Sequence, residues 1–193
     1  VKTMLMDGMI VENDSVAEEV QALLGEPFYM PIVTASYGVP VKNLKRIPYV
    51  DVDTYDAVEL GLAYLKEMGH KKIAFATLYD FFHDSRLHPR HVAFGNQMKA
   101  VYGKQFRDYI IDNAGNTRPA FARENFFEEG MSGADRFLER NCGATAIFCF
   151  NDEFALGMLR RFEQLNIRVP EDISILGIDG IENRKYVTPF LSS

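Results

Sequence analysis

Three polar residues stand where strands of this sequence should end, and their types suit one kind of chemistry. Asn151 directly follows the apolar run Thr145-Ala146-Ile147-Phe148-Cys149-Phe150. Asp179 directly follows Ile173 to Ile178, and Arg90 opens a helical stretch after Lys72 to Thr77 and a loop. A carboxylate accepts from hydroxyls, a guanidinium donates in a planar fork, and a carboxamide does both. Gathered on one edge of a sheet, the three would hold a polyhydroxylated ligand. Each also has a plainer reading: Asn151 as a helix N-cap, Asp179 as a turn residue before Gly180, Arg90 as a surface helix residue. The chain has no Trp, so any aromatic platform for a ligand ring must be Phe or Tyr.

Other chemistry is poorly served. The chain contains no GxxxxGK[ST], GxGxxG, HExxH or GxSxG, and no nucleophile–base pair suggests itself. His83, Asp84, His88 and His91 include side chains that suit zinc. Their spacing fits no compact ligand template, and a solvated polar loop is the better reading. The expectation is therefore no metal, no cofactor and no catalysis. His70 follows Gly69 and reads as a helix-end residue satisfying carbonyls.

The elements that must position these residues alternate. Gly8 to Val11, Pro31 to Ala35 and Tyr49 to Val52 read as strands. Ser15-Val16-Ala17-Glu18 is a capping box opening a helix with Val16, Val20, Leu23 and Leu24 on its apolar side. A helix follows Asp53, with Val58, Leu62, Leu65 and Met68 at helical spacing. Strands are then expected at Lys72–Thr77, Phe106–Ile111, Thr145–Phe150 and Ile173–Ile178. Helices are expected at about Arg90–Tyr102, Glu128–Arg140 and Asn151–Leu165. Nearly continuous apolar strands between amphipathic helices specify an α/β fold, a doubly wound parallel sheet covered on both faces.

Composition sets the limits. The 193 residues are 47% hydrophobic and 25% charged, an ordinary globular balance. With 21 basic and 27 acidic residues the formal charge is −6. A nucleic-acid-binding domain shows a basic face; here the basic residues cluster only in the short Lys42 to Arg46 loop, so DNA binding by this segment unaided is not expected. No apolar run approaches the roughly 18 residues of a membrane span. Cys142 and Cys149 form no CxxC pair and read as reduced, buried thiols of a cytoplasmic protein.

Several runs resemble the LacI/GalR family of bacterial transcription regulators. They are Val50-Asp51-Val52-Asp53-Thr54-Tyr55-Asp56-Ala57, Gly69-His70-Lys71-Lys72-Ile73-Ala74-Phe75, Asn151-Asp152-Glu153-Phe154-Ala155-Leu156-Gly157, Val169 to Gly180 and Thr188 to Ser193. The resemblance implies a periplasmic-binding-protein-like fold with one nearly complete lobe and part of a second. Residues 1–50 would be a partial N-terminal lobe and residues 51–193 the C-terminal lobe, with the DNA-binding head absent. By the same resemblance Arg90, Asn151 and Asp179 hold a small effector, taken to be a carbohydrate, in the cleft between the lobes. Ser36 matches a polar contact of the N-terminal lobe, and Phe127 or its neighbour Glu128 falls near an aromatic contact. Ala93, Gly180 and Ser36 depart from the commonest family pattern. Ala35-Ser36-Tyr37 also resembles the arabinose-responsive branch, whose head is a different one. Operator DNA would be bound only through the missing head. The alternatives are a sugar-binding protein of a transporter and an α/β enzyme.

The resemblance further implies a homodimer with Leu156 and Tyr186 near the subunit contact. The helix from Asp152 carries Phe154, Ala155, Leu156, Met158, Leu159, Phe162 and Leu165, more apolar positions than one sheet-facing stripe needs. A second copy or another element of this chain must cover the surplus face. Leu156 is accordingly expected to be partly exposed in an isolated chain. Asp179, expected to face the cleft, is expected to be replaceable by Ala with folding nearly unaffected.

Overall fold

The structure is a computed structural model that describes residues 7–11, 19–20, 22–23, 31–36, 48–83, 89–114 and 125–193. The expected capping box at Ser15, the Lys42 to Arg46 loop, Asp84 and His88 lie outside these residues. The chain divides into two compact units, Val1–Thr54 and Tyr55–Ser193.

In the first unit β1 (Met9–Val11), β2 (Ile32–Ser36) and β3 (Tyr49–Asp51) form a parallel sheet in the order β1-β2-β3. Val11 and Ile32 are buried in it. The strand read at Tyr49–Val52 joins this first sheet, Val50 pairing in register with Ala35. The apolar pattern of a strand says that it joins a sheet but not which sheet.

The second unit holds a four-stranded parallel sheet of β4 (Ile73–Ala76), β5 (Ile110–Ile111), β6 (Ala146–Cys149) and β7 (Ser174–Leu176), in the order β5-β4-β6-β7. Every residue of β4 and β6 is buried, as central strands covered on both faces require. Four helices accompany them: α1 (Thr54–Glu67), α2 (Pro89–Tyr102), α3 (Phe126–Arg140) and α4 (Asp152–Gln164). Val58, Leu62 and Leu65 bury the inner stripe of α1. Cys149 is buried and Cys142 half-buried, both as free thiols. His70 serves the helix end as expected, its backbone N–H donating to the Leu65 carbonyl at 3.0 Å, and its Nδ1 lies 2.9 Å from Thr145 Oγ1.

The strand expected at Phe106–Ile111 is shorter. Residues Gly103–Tyr109 form a 3-10 turn, and only Ile110 and Ile111 pair with β4. Gly103 at φ 57° ends α2 in the left-handed region. Tyr109 then stacks on Tyr102, ring centroids 4.4 Å apart. That local contact curls the segment before it reaches the sheet.

α3 and α4 touch backbone to backbone. A Cβ placed on Gly157 would sit 1.9 Å from the Phe127 carbonyl oxygen, and one on Gly130 2.0 Å from that of Phe154. Leu156, expected to be partly exposed, is only 8% exposed. With α3 seated against it on one side and the sheet on another, α4 is enclosed by its own chain. Its exposed positions are Glu153, Arg160, Glu163 and Gln164, none of them apolar. Tyr186, in the 3-10 turn Glu182–Tyr186, is 76% exposed.

Two outcomes are expected. Gly157→Ala forces the helices apart and should lower the stability read by urea unfolding by about 1–3 kcal/mol with an unchanged m-value. The second concerns Asp112, buried at the end of β5, where its carboxylate accepts from Phe81 N at 3.2 Å. Burial pushes its pKa above the ordinary 3.8, against the opposing pull of Phe81 N–H and Arg140. A carboxyl raised on folding contributes stability below its unfolded pKa that is lost as pH rises through the folded value. Stability profiles of wild type and Asp112→Asn should therefore shift in favour of the variant as pH climbs from about 4.

Candidate functional site

Chain order places the site. From β4 the chain moves outward to β5, then returns past β4 to β6 and on to β7. The direction of winding reverses between β4 and β6. Open parallel sheets hold ligands beyond the carboxyl ends of the strands at such a reversal. Thr77 follows β4, Phe150 and Asn151 follow β6, and Gly177 to Asp179 follow β7.

Arg90 and Asp179 meet there. The Arg90 guanidinium forms a two-pronged ion pair with the Asp179 carboxylate, Nη2 donating to Oδ1 and Nη1 to Oδ2, the latter at 3.2 Å. Nη1 also donates to the Phe150 carbonyl at 3.2 Å. The Arg90 side chain is 7% exposed and that of Asp179 30%. The plain reading of Arg90 as a surface residue thus fails. Asp179 lies in a turn, yet at φ 112°, a region that costs a non-glycine residue about 1–3 kcal/mol unless its surroundings hold it.

Asn151 sits one peptide away from the carbonyl that Arg90 grips. Its side chain accepts from Phe154 N at 2.9 Å and caps α4. The cap engages the carboxamide oxygen and leaves the amide nitrogen outside it. Phe127 stands in the first turn of α3, half-buried against the core. It is Phe126 whose ring lies 6.4 Å from that of Phe150. Ser36 ends β2 in the first unit, in register with Asp51.

Three aromatic residues back this edge: Phe150, Tyr79 and His91, of which the sequence draws attention only to His91, as a metal candidate. Arg90 lies over the Phe150 ring at 5.6 Å, a favourable cation–π geometry. Phe150 meets His91 at 4.9 Å and Tyr79 at 5.3 Å. His91 is fully buried, with Nε2 2.6 Å from Thr77 Oγ1, so it serves this packing rather than a metal. His83 pairs with Asp80 at 2.9 Å. Among the described residues no group of three or more His, Cys, Asp or Glu could hold a metal ion, and no helix is long and apolar enough to cross a membrane. The signal that Phe150 gives in the sequence is faint: a large ring at the last position of a strand, where the ligand edge begins. A separate groove of about 640 Å³ runs between α1 and the end of the chain, lined by Leu60, Tyr64 and Phe190 and reaching Asp179 and Gly180.

The arrangement does one thing well. Arg90 and Asp179 neutralise each other, and the Asp179 side chain, 30% exposed, still presents carboxylate lone pairs toward solvent. Such a surface accepts hydrogen bonds from an uncharged ligand. Folding cannot be indifferent to Asp179, contrary to the sequence expectation, because its loss leaves a buried guanidinium without its carboxylate. Asp179→Ala should cost about 1–3 kcal/mol in urea unfolding. Arg90→Met combined with Asp179→Leu should cost less than the two single changes together, in a double-mutant cycle.

Known proteins share this architecture. A family model described as a periplasmic binding protein-like domain matches residues 62–193. The HTH-type transcriptional repressor PurR of Vibrio atlanticus (strain LGP32) is 30% identical over 195 residues, covering 97% of this chain and 52% of that protein. PurR of Vibrio vulnificus (strain CMCP6) is 30% identical over 189 residues with the same coverage. The chain thus spans about half the length of the curated relatives it matches. Among solved structures, a LacI family transcriptional regulator from Arthrobacter sp. FB24 in complex with lactose is similar with a TM-score of 0.69 and 21% identity, over 96% of this chain and 60% of that one. A LacI family regulator from Lactobacillus casei with bound glucose gives 0.69 and 20%, over 96% and 64%. The chain belongs to the periplasmic binding protein-like domain family.

Proposed function

We propose that this chain senses a small uncharged effector, a sugar or sugar derivative, for a transcription regulator. Arg90, Asn151 and Asp179 are its polar contacts on the second unit. The observation that carries this reading is Asp179, held at positive φ opposite a buried arginine just beyond the strand ends where the winding reverses. A turn residue with no task would not need that conformation. Neutral ligand chemistry follows from the internal neutralisation of Arg90 by Asp179. Sugars occupy the two regulators named above. Ser36 and an aromatic at the start of α3, Phe127 or Phe126, are assigned by resemblance.

Effector binding would shift the equilibrium between conformations of the regulator and so its affinity for operator DNA. DNA is contacted through a separate head, consistent with the acidic balance of this chain. Cytoplasmic residence and a homodimer go with this reading. The subunit contact would use the surface around Tyr186 and the polar face of α4, not the side chain of Leu156. The repressor names of the relatives favour a regulator over a transporter's binding protein or an enzyme.

A thermal-shift screen over monosaccharides and disaccharides tests the reading, followed by calorimetry with the best binder. Asn151→Ala should weaken that ligand by about 1–2 kcal/mol and cost about 1 kcal/mol of stability through the lost cap. Asp179→Ala should weaken it by about 1.5–3 kcal/mol, as for a hydrogen bond to a charged group. A binder whose affinity is unchanged by both substitutions would sink the site assignment.

A further inference from the structure

We infer that Asp152 is a positioning residue of the site: it grips the loop after β7 on both sides of Asp179 and so holds that carboxylate opposite Arg90. The inference rests on the reading of Asp179 as an effector contact, but the geometry stands without it. Asp152 is fully buried in the first turn of α4. Its backbone N–H donates to the Ile178 carbonyl at 2.9 Å. Its carboxylate Oδ2 accepts from Ile181 N at 2.8 Å. The two bonds bracket Asp179 and Gly180, at φ 112° and 66°. On its other side the carboxylate lies against Gly177, where an added Cβ would come within 2.0 Å of Oδ1.

One acid thus ties the loop to the helix that Asn151 caps. A non-glycine residue persists at positive φ only when its surroundings over-determine it. Here the constraints are the Arg90 pair from α2 and the Asp152 grip from α4. Gly180 N also donates to Ser193 Oγ at 2.9 Å, a tie that reaches the loop one residue past Asp179. Burial pushes the Asp152 carboxyl above the usual carboxylate range, opposed by the Ser193 hydroxyl and the Ile181 and Gly180 amides. A buried acid that carries such a cost is explained by what it holds.

The test needs no ligand, so its failure is separable from failure of the proposed function. Amide hydrogen exchange and the Arg90 Nε–H resonance are read by NMR in the chain carrying Asp152→Ala, Asp152→Asn or Gly177→Ala. Loss of one hydrogen bond speeds local opening by up to about tenfold. Asp152→Ala should therefore accelerate exchange at Ile181 by about that factor and broaden or shift the Arg90 signal, while amides of β4 and β6 stay protected. Asp152→Asn keeps an acceptor for Ile181 N and should restore both readouts. Gly177→Ala pushes the carboxylate off its seat and should reproduce the Asp152→Ala pattern with Asp152 intact, which keeps the test alive if Asp152→Ala does not fold. Unchanged Ile181 exchange and an unchanged Arg90 signal in Asp152→Ala and Gly177→Ala would overturn the inference. So would equal acceleration in β4 and β6, which marks a general loss of stability. If the loop loosens as expected yet no sugar binds wild type, the positioning role stands and the sugar reading falls.

Discussion

A guanidinium that is almost wholly out of water dominates this protein. Transferring a charge into a protein interior is costly unless it is paired and fully hydrogen-bonded. The Arg90 side chain is 7% exposed, so the surroundings are obliged to answer it. β6 ends with the Phe150 carbonyl turned to Nη1, the loop after β7 brings the Asp179 carboxylate, and the Phe150 ring lies beneath. Two separate stretches of chain are tied to α2 by one side chain. The polar cluster at the strand ends is therefore a consequence of satisfying Arg90, not a set of independent contacts.

Below that edge the helices set the spacing. α3 and α4 both begin at asparagine caps, Asn125 and Asn151, each accepting a backbone N–H of its own first turn. Their glycines let the two backbones meet, which fixes the distance between the two caps. The aromatic group of Tyr79, His91, Phe126 and Phe150 fills the space between that pair and the start of α2. Rings of this size pack by edge and tilt, and each gains stability beyond the area it buries.

Much of this could be read in the sequence. Wholly apolar strands such as Ala146–Cys149 admit little but a covered parallel sheet, and polar residues just past such strands belong at its ligand edge. Asn151 and Asp179 stand just past such strands, and Arg90 opens the helix after the loop that follows one. What escaped depends on contacts distant in sequence. Nothing local says that Tyr49–Asp51 pairs with β2 rather than opening the second sheet. Tyr109 curls Gly103–Tyr109 through a stack on Tyr102 that periodicity does not encode. The surplus apolar face of α4 was visible, but the close seat of α3 on α4 is made by glycines, and a glycine's absent side chain gives no hydrophobic signal. Asp152 was visible only as half of a motif, because its partner amide lies 29 residues away.

The contact at Gly130 and Gly157 also bears on how this unit could deform. Packed helices usually slide past each other by small shear steps, with interdigitated side chains changing rotamers. Where backbone rests on backbone there are no rotamers at the contact to change, and a slide meets carbonyl oxygens at once. α3 and α4 must then travel as one body. Any change of shape that a ligand imposes on this unit has to be taken up at segments outside that helix pair.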